Sequence, residues 1–321
     1  MTTIDFQAQR ELALRVQASV AHAVVGLERE VEACLAALLA GGHVLLEGPP
    51  GVAKTLLARA LAVALGCRFG RVQFTPDLMP ADVTGTSVFH PGEGVFRFQA
   101  GPVFAQVLLC DEINRAPAKT QAALLEAMQE AAVTVDGHRH PLPRPFLVLA
   151  TMNPIEHEGT YPLPEAQLDR FLFKLRIGWP AAEVEERILS AAHARPPLSE
   201  PAQLGVEAVT TPDELLTLSA AIEEVQVRAD LPAYVVRLLA ATRSSASLSL
   251  GASPRAGVML LRAAKARAAL AARDYVTPDD LKALFLPALR HRVLLDPAEE
   301  LEGATSDVVL ARILESVEVP R

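Results

Sequence analysis

The segment Gly48–Thr55 (GPPGVAKT) has the residue types and spacing of a loop that binds a nucleotide polyphosphate. Its glycines let the backbone approach phosphate oxygens, and the N–H groups of the loop attract the anion. Lys54 would reach the β- and γ-phosphates, and the hydroxyl of Thr55 would coordinate Mg²⁺. Ala53 stands where the usual pattern has its last glycine. Because a proline–glycine turn before an ordinary helix gives a similar string, the segment needs a second signal.

That signal is Val107–Glu112 (VLLCDE), an apolar run that ends in two adjacent acids, with Asp111 57 residues after Lys54. Parallel strands end at the same edge of a sheet, so Asp111 is expected beside the phosphate loop. Asp111 would hold Mg²⁺ through water, and Glu112 would accept a proton from an attacking water molecule. The acids alone could simply cap the next helix. Together and in this order, the two segments predict nucleotide hydrolysis.

Short apolar runs alternate with helical patterns in the first half of the chain, which predicts an α/β fold with a parallel sheet covered on both faces. Helices are predicted at Ala53–Leu65 and Lys119–Ala131. The predicted strands are His43–Glu47, Arg71–Phe74, Val107–Cys110, Phe146–Ala150 and Phe171–Leu175.

Two intervals break this alternation and are predicted to be β-hairpins inserted into the core, Thr84–Gln99 and Val133–Pro145. The second contains Asp136-Gly137, a strong hairpin signal. After about residue 180 the strand patterns fade, and Arg195–Pro201 interrupts the chain. A boundary near Gly178 is therefore predicted, with a nucleotide-binding domain over residues 1–178 and an all-α lid over residues 179–321. Helices are expected at Ala181–Ala192, Pro212–Val225, Pro232–Ser247, Pro254–Ala272 and Pro278–Leu286.

Composition limits the classes of partner and compartment. Of 321 residues, 50% are hydrophobic and 21% charged, which supports a packed core, and the net charge of −8 argues against general binding to nucleic acid. Cys34, Cys67 and Cys110 are far apart in apolar surroundings, which predicts buried thiols in a reducing compartment. No signal-peptide pattern and no segment of about 20 apolar residues is present, so a cytoplasmic protein without a membrane span is expected.

Over essentially the whole chain, the sequence resembles the MoxR family of AAA+ ATPases. The segments that carry the resemblance are GPPGVAKT, CDEINRAP (110–117), LLEAMQE (124–130), ATMNP (150–154), LPEAQLDRF (163–171), ASPRA (252–256) and YVTPDDLKALFLPALRHR (275–292). Ala53 fits this family. The two hairpins also stand where its branch carries insertions, so the resemblance implies a P-loop AAA+ core with a C-terminal helical lid.

The resemblance also implies a set of site residues. Asn153 would be the sensor-1 residue that orients water, and Arg170 the arginine finger that reaches a neighbouring subunit. Alternatively, Asn153 belongs to an Asn-Pro turn and Arg170 pairs with Asp169 or Glu165. Arg255 resembles the sensor-2 arginine, in cis or in trans. The expected nucleotide contacts are Val25, Gly26, Gly48, Pro49, Pro50, Gly51, Val52, Ala53, Lys54, Thr55 and Leu56.

The implied function is that of an ATP- and Mg²⁺-dependent subunit of a ring, and a hexamer is expected. It would mature or activate a client complex, often by inserting a metal or cofactor, together with a separate von Willebrand factor A-domain protein. Three alternatives stay open at this stage: the motor subunit of a metal chelatase, a nucleic-acid translocase, and a nucleotide-gated binding module without hydrolysis. Arg139 and Arg144 on one hairpin offer little support for nucleic acid, and His90–Val95 (HPGEGV) on the other offers none.

Overall fold

A computed structural model describes residues 6–153, 161, 163–193 and 200–320 of the chain. Most of the predicted break at Arg195–Pro201, and Pro154 of the ATMNP segment, lie outside the described residues.

The helices, in chain order, are α1 (Phe6–Ala21), α2 (Glu28–Leu39), α3 (Lys54–Ala64), α4 (Pro80–Thr84), α5 (Ala118–Glu130), α6 (Glu165–Leu168), α7 (Ala182–His193), α8 (Pro212–Ala221), α9 (Asp230–Ser244), α10 (Pro254–Leu270), α11 (Pro278–Leu289), α12 (Pro297–Leu301) and α13 (Ser306–Ser316). The strands are β1 (Val44–Glu47), β2 (Phe69–Gln73), β3 (Gly85–His90), β4 (Val95–Ala100), β5 (Val107–Asp111), β6 (Ala132–Val135), β7 (His138–Pro141), β8 (Leu147–Met152), β9 (Phe173–Arg176), β10 (Leu248–Leu250) and β11 (Leu294–Leu295).

The five strands predicted from apolar runs form one parallel sheet in the order β2-β5-β8-β1-β9. Its register pairs Gln73 with Asp111 and Glu47 with Met152, so the carboxyl ends of these strands meet at one edge. Side chains alternate between two apolar clusters: Leu109 packs into one face and Leu108 into the other. This alternation confirms that both faces of the sheet are covered.

Both predicted hairpins are present, as β3–β4 and β6–β7. Asp136 and Gly137 both have positive φ, 49° and 78°, which is the conformation that a two-residue hairpin turn requires. The hairpins also touch each other, because the ring of Phe98 stacks on that of His140 with centroids 3.9 Å apart. The two hairpins therefore meet at this pair of rings.

The chain after β9 is helical, as predicted, from α7 to α13, with one short antiparallel ribbon of β10 and β11. Prolines open α8, α10 and α11, where their missing N–H leaves no hydrogen bond unmade. The central helix α10 packs against α1 and α2 as well as against α9 and α11. One continuous apolar cluster thus joins the lid helices to the first helices of the chain.

Candidate active site

The loop between β1 and α3 has the backbone of a phosphate cradle. Gly51 lies at φ +84°, and no atom comes within 4 Å of the position where a Cβ would stand. Ala53 lies in the left-handed region at φ 60° and ψ 21°, just before the first residue of α3. This conformation costs a residue with a Cβ about 1–2 kcal/mol. Ala53 therefore adopts the geometry that the glycine of the usual motif supplies without strain, at a site where strain is typical of function.

The loop begins at a close backbone crossing. A Cβ on Gly48 would lie 2.2 Å from the carbonyl oxygen of Ile177, just after β9. Only glycine lets the chain leave β1 and pass this carbonyl without displacing β9. At the other end of the loop, the Nζ of Lys54 donates to the carbonyl oxygens of Gly48 (2.5 Å) and Pro49 (3.1 Å). The lysine ammonium thus lies over the loop.

Asp111 ends β5 and is held by partners from three elements. Thr151, on β8, donates its hydroxyl to Oδ1 at 2.8 Å. The other oxygen, Oδ2, accepts from Arg71 on β2 at 2.8 Å and lies 3.4 Å from the hydroxyl of Thr55 on α3. A hydroxyl and a carboxylate that converge in this way are oxygen ligands of the kind that Mg²⁺ prefers. These side chains therefore fit a magnesium ion.

Glu112 has a strained backbone and an oriented carboxylate. It lies at φ 55° and ψ 53° in the left-handed region, and its N–H donates to the hydroxyl of Thr151 at 2.9 Å. Its Oε2 accepts from the amide of Gln73 and from the guanidinium of Arg115, each at 2.9 Å. Strain of this kind persists only where the surroundings enforce it. Here Thr151 holds the backbone, and two donors fix the direction of the carboxylate.

Both signals found in the sequence line one cleft of about 410 Å³. Asn153, immediately after β8, is buried and reaches the same cleft. The full lining is Pro50, Gly51, Ala53, Lys54, Thr55, Leu56, Arg71, Gln73, Asp111, Glu112, Thr151 and Asn153. The loop, the lysine and the N-terminus of α3 fit the polyphosphate of a nucleotide, and the acids fit its Mg²⁺ ion.

Three residues of this cleft were missed by sequence reasoning. Arg71 and Gln73 stand two apart on β2 and so point to the same side, a signal that becomes useful only once β2 is known to pair with β5. Thr151 lay inside the ATMNP segment but was not singled out. Arg115, whose role sequence reasoning left open, contacts Glu112.

Two predicted site residues lie elsewhere in the same subunit. Arg170 follows α6 and lines a separate cavity with Gln167 and residues of α5. Arg255, in the first turn of α10, has its Nε 3.7 Å from Oδ2 of Asp169. The ion pairs of Asp169 among the described residues run to Arg255 and Arg292. Thus neither predicted arginine is among the residues that line the phosphate-loop cleft: Arg170 lines the cavity beside α5, and Arg255 faces Asp169.

Val25 and Gly26 precede α2, and Gly26 lies close to α7. Gly26 has φ +83°, and a Cβ there would lie 2.6 Å from Cγ1 of Val184 on α7. These two residues likewise lie outside the lining of the phosphate-loop cleft. Their predicted contact with the base of the nucleotide stays a prediction.

The sheet and the cleft at its carboxyl edge are those of a P-loop ATPase with a helical lid. Residues 43–173 match the family described as "ATPase family associated with various cellular activities (AAA)", and residues 240–313 match the AAA lid domain. The protein named "Chaperone MoxR1" of Mycobacterium tuberculosis is 44% identical over 93% of this chain and 80% of its own.

Two further comparisons agree. "Uncharacterized protein YeaC" of Bacillus subtilis is 47% identical over 89% of this chain and 88% of its own. The crystal structure of a putative ATPase from Cytophaga hutchinsonii superposes with a TM-score of 0.90 at 38% identity, covering 98% of this chain and 97% of the other. The chain belongs to the MoxR family of AAA+ ATPases. The division near Gly178 stays a prediction. No helix in the described part of the chain is long and apolar enough to cross a membrane.

Proposed function

We propose that this ATPase works as a hexameric ring whose active sites lie between neighbouring subunits. The observation that carries the proposal is the separation of the catalytic groups in one subunit. The phosphate loop and the acids line one cleft, whereas Arg170 lines a separate cavity beside α5 and Arg255 faces Asp169. A neighbouring subunit would bring these arginines to the γ-phosphate. Both would therefore act in trans.

Within one subunit, the cleft supplies the remaining groups. Lys54 would bind the β- and γ-phosphates of ATP, while Thr55 and Asp111 would hold Mg²⁺. Bound Mg²⁺ would neutralise the charge on the phosphate oxygens. Glu112 would accept a proton from the attacking water, and Asn153 would orient that water. Gln73 and Arg115, which fix the carboxylate of Glu112, support this assignment.

We propose further that the ring is a chaperone-like motor that matures or activates a client protein complex, by metal or cofactor insertion in some cases. A separate von Willebrand factor A-domain protein would be its partner, as the family resemblance implies. The β3–β4 hairpin supports contact with protein, because Phe89 and Phe96 near its tip are exposed, Phe96 to 70%, with ring centroids 5.1 Å apart. Exposed aromatic groups of this kind favour protein over phosphate backbone.

The first experiment measures Mg²⁺-ATP hydrolysis by the purified protein over a range of protein concentrations. Specific activity should rise with concentration as rings assemble. Glu112→Gln and Arg170→Ala should each lower kcat by about 10³-fold or more while ATP still binds. Arg262→Ala is the matched control, since Arg262 is an exposed arginine further along α10 that pairs with Glu223.

Two outcomes would contradict the proposal. Hydrolysis that is independent of protein concentration and survives the loss of Arg170 would exclude an active site shared between subunits. ATP binding without hydrolysis at any concentration, with or without a von Willebrand factor A-domain partner, would instead indicate a nucleotide-gated binding module.

The chaperone role is tested with a chemically denatured model protein whose aggregation is followed by light scattering. The wild-type ring should suppress aggregation in an ATP-dependent way. A double variant with Phe89→Ser and Phe96→Ser should lose this effect and keep its basal ATPase activity. Stimulation of hydrolysis by single- or double-stranded DNA, without any effect on aggregation, would favour a nucleic-acid translocase instead.

A further inference from the structure

The segment that carries Arg170 is fastened to the lid of its own subunit by Arg292. This arginine follows α11, and its side chain is only 2% exposed. Its Nε donates to Oδ1 of Asp169 at 2.7 Å, and its Nη2 donates to the carbonyl oxygens of Asp169 (3.1 Å) and Phe171 (2.5 Å). Its Nη1 donates to the carbonyl oxygen of Leu172 at 3.2 Å. One lid side chain therefore bonds the backbone on both sides of Arg170.

Neighbouring groups strengthen this attachment. The Nε2 of His291 lies 2.9 Å from the same Phe171 carbonyl oxygen. Arg292 also donates to the carbonyl oxygen of Ala288, on α11, and to the sulfur of Met259, on α10. The guanidinium thus contacts two lid helices and the segment after α6 at once. The planar fork of an arginine suits this task, since it offers five N–H donors in fixed directions.

The chemistry of the segment explains why such a residue is needed. Between α6 and β9 the backbone N–H groups bond carbonyl oxygens of residues 164–168 and of His43, whereas carbonyl oxygens of the same segment accept from Arg292. A buried arginine is costly unless it is fully bonded, and here its donors meet carboxylate and carbonyl oxygens. Residues 169–172 are consequently held from two sides: the core accepts from their N–H groups, and the lid donates to their carbonyl oxygens.

Asp169 adds a second link to the same arrangement. One carboxylate oxygen bonds the buried Arg292, and the other faces Arg255, whose side chain is 51% exposed. The exposed Arg255 therefore shares a single anchored carboxylate with the buried Arg292. A shift of the lid would move Asp169, Arg170 and Arg255 together.

We propose that Arg292 is a positioning residue for the Arg170 finger, so that the finger presented to the next subunit moves with the lid of its own subunit. This inference rests on the proposed function, in which Arg170 acts in trans. It adds a route by which a lid that responds to nucleotide in one subunit controls hydrolysis in its neighbour. The lid is then the two-state element that couples adjacent sites.

The test uses Arg292→Lys, which keeps the charge but loses the fork. We expect kcat to fall about 10–100-fold, the effect typical of a misplaced catalytic group, while ATP affinity and ring assembly are unchanged. Arg290→Lys is the matched control, because Arg290 directly follows the same helix but forms an ion pair with Asp307 and donates to the Lys174 carbonyl oxygen. It should keep wild-type turnover. Asp169→Asn, with nearly the same shape, is the second variant if Arg292→Lys does not assemble.

Mixed rings separate positioning from a merely structural role. Arg292→Lys subunits are mixed before assembly with Glu112→Gln subunits, which have an inactive cleft but an intact finger. Turnover per Arg292→Lys subunit should rise, because intact clefts now meet intact fingers. Subunits that carry both Glu112→Gln and Arg170→Ala should give no rise.

The outcomes distinguish the two proposals. If Glu112→Gln subunits rescue Arg170→Ala but not Arg292→Lys, or if Arg292→Lys keeps full turnover, the role of Arg292 is overturned and the shared site stands. If Glu112→Gln subunits fail to rescue Arg170→Ala itself, the finger in trans is wrong.

Discussion

The guanidinium of Arg71 lies 2.8 Å from Oδ2 of Asp111, the carboxylate oxygen that also faces the hydroxyl of Thr55. This contact joins the edge strand β2 to the end of β5 and neutralises the acid proposed to hold Mg²⁺. The guanidinium of Arg71 and a bound Mg²⁺ ion would compete for this carboxylate oxygen. Magnesium binding would therefore have to displace Arg71 or share the carboxylate with it.

Replacing Arg71 with alanine should lower the concentration of Mg²⁺ needed for half-maximal hydrolysis. The Arg71 side chain is 50% exposed, so the ion pair is worth about 1 kcal/mol at most, which corresponds to a change of about fivefold. A magnesium titration of ATPase activity measures this. Arg68→Ala is the control, because it removes the same charge just before β2, where Arg68 donates to the Phe104 carbonyl oxygen. It should leave the magnesium requirement unchanged. A raised KM for ATP with the same magnesium requirement would instead place Arg71 on the phosphates.

Thr151 supports both acids through one hydroxyl, and its removal should impair both. Thr151→Val keeps the shape but takes the donor from Asp111 and the acceptor from the N–H of Glu112. Leaving such buried groups unpaired costs about 1–3 kcal/mol of the free energy of unfolding. We expect that loss in urea denaturation, together with a lower kcat. Thr151→Ser retains the hydroxyl and should behave like the wild type, whereas unchanged stability and turnover in the valine variant would contradict the role assigned to Thr151.

The centre of the sheet could be predicted because β1, β5 and β8 are buried on both faces. The apolar runs at β1, β5 and β8 are continuous and end in turn residues or charges, which distinguishes them from the helices between them. The short ribbon of β10 and β11 could not be predicted in the same way. Two or three residues carry no periodicity, and their pairing depends on how the lid helices pack.

The residues of the site also fall into two groups: those that the sequence predicts and those that only the packed structure reveals. The sequence identifies four site residues, because each stands at a fixed distance from the end of a strand: Lys54, Thr55, Asp111 and Glu112. Arg292 cannot be identified in this way, because in the sequence it is one basic residue at the end of a helix. Its contacts with Asp169–Leu172 join positions 120 or more apart and exist only after the lid has packed on the core.

Gly48 should tolerate no side chain. In Gly48→Ala the added Cβ would meet the Ile177 carbonyl oxygen at 2.2 Å, and neither backbone can move without disturbing β1 or β9. Overpacking of this kind costs about 1–3 kcal/mol. Thermal unfolding should show the loss, and ATP affinity should fall because the loop starts at this residue. Gly178→Ala adds the same methyl group where no atom lies within 4 Å and should stay within about 0.5 kcal/mol of the wild type. Equal stability of both variants would show that the crossing is not tight.

His43 makes the stability of the core depend on pH. It lies at the start of β1, where its Nδ1 accepts from the N–H of Val148 (3.1 Å) and its Nε2 lies 3.2 Å from the Met128 carbonyl oxygen. The ring is therefore neutral, with its proton on Nε2. Burial lowers the pKa of His43 to about 4, from an ordinary value of 6.5. Burial, and then the charge of Arg292, also lower the pKa of His291.

Since the folded pKa lies below the unfolded one, the unfolded chain takes up a proton first as the pH falls. Stability is thus fully present above pH 6.5 and declines toward pH 4, with His43 alone contributing a loss of about 2 kcal/mol at pH 5. Urea unfolding between pH 5 and 8 measures this slope. His43→Gln should be less stable than the wild type at pH 8 but show a flatter dependence on pH. His138→Gln, at an exposed hairpin position, should keep the wild-type slope. If His43→Gln also keeps the wild-type slope, His43 is not the group whose titration changes the stability.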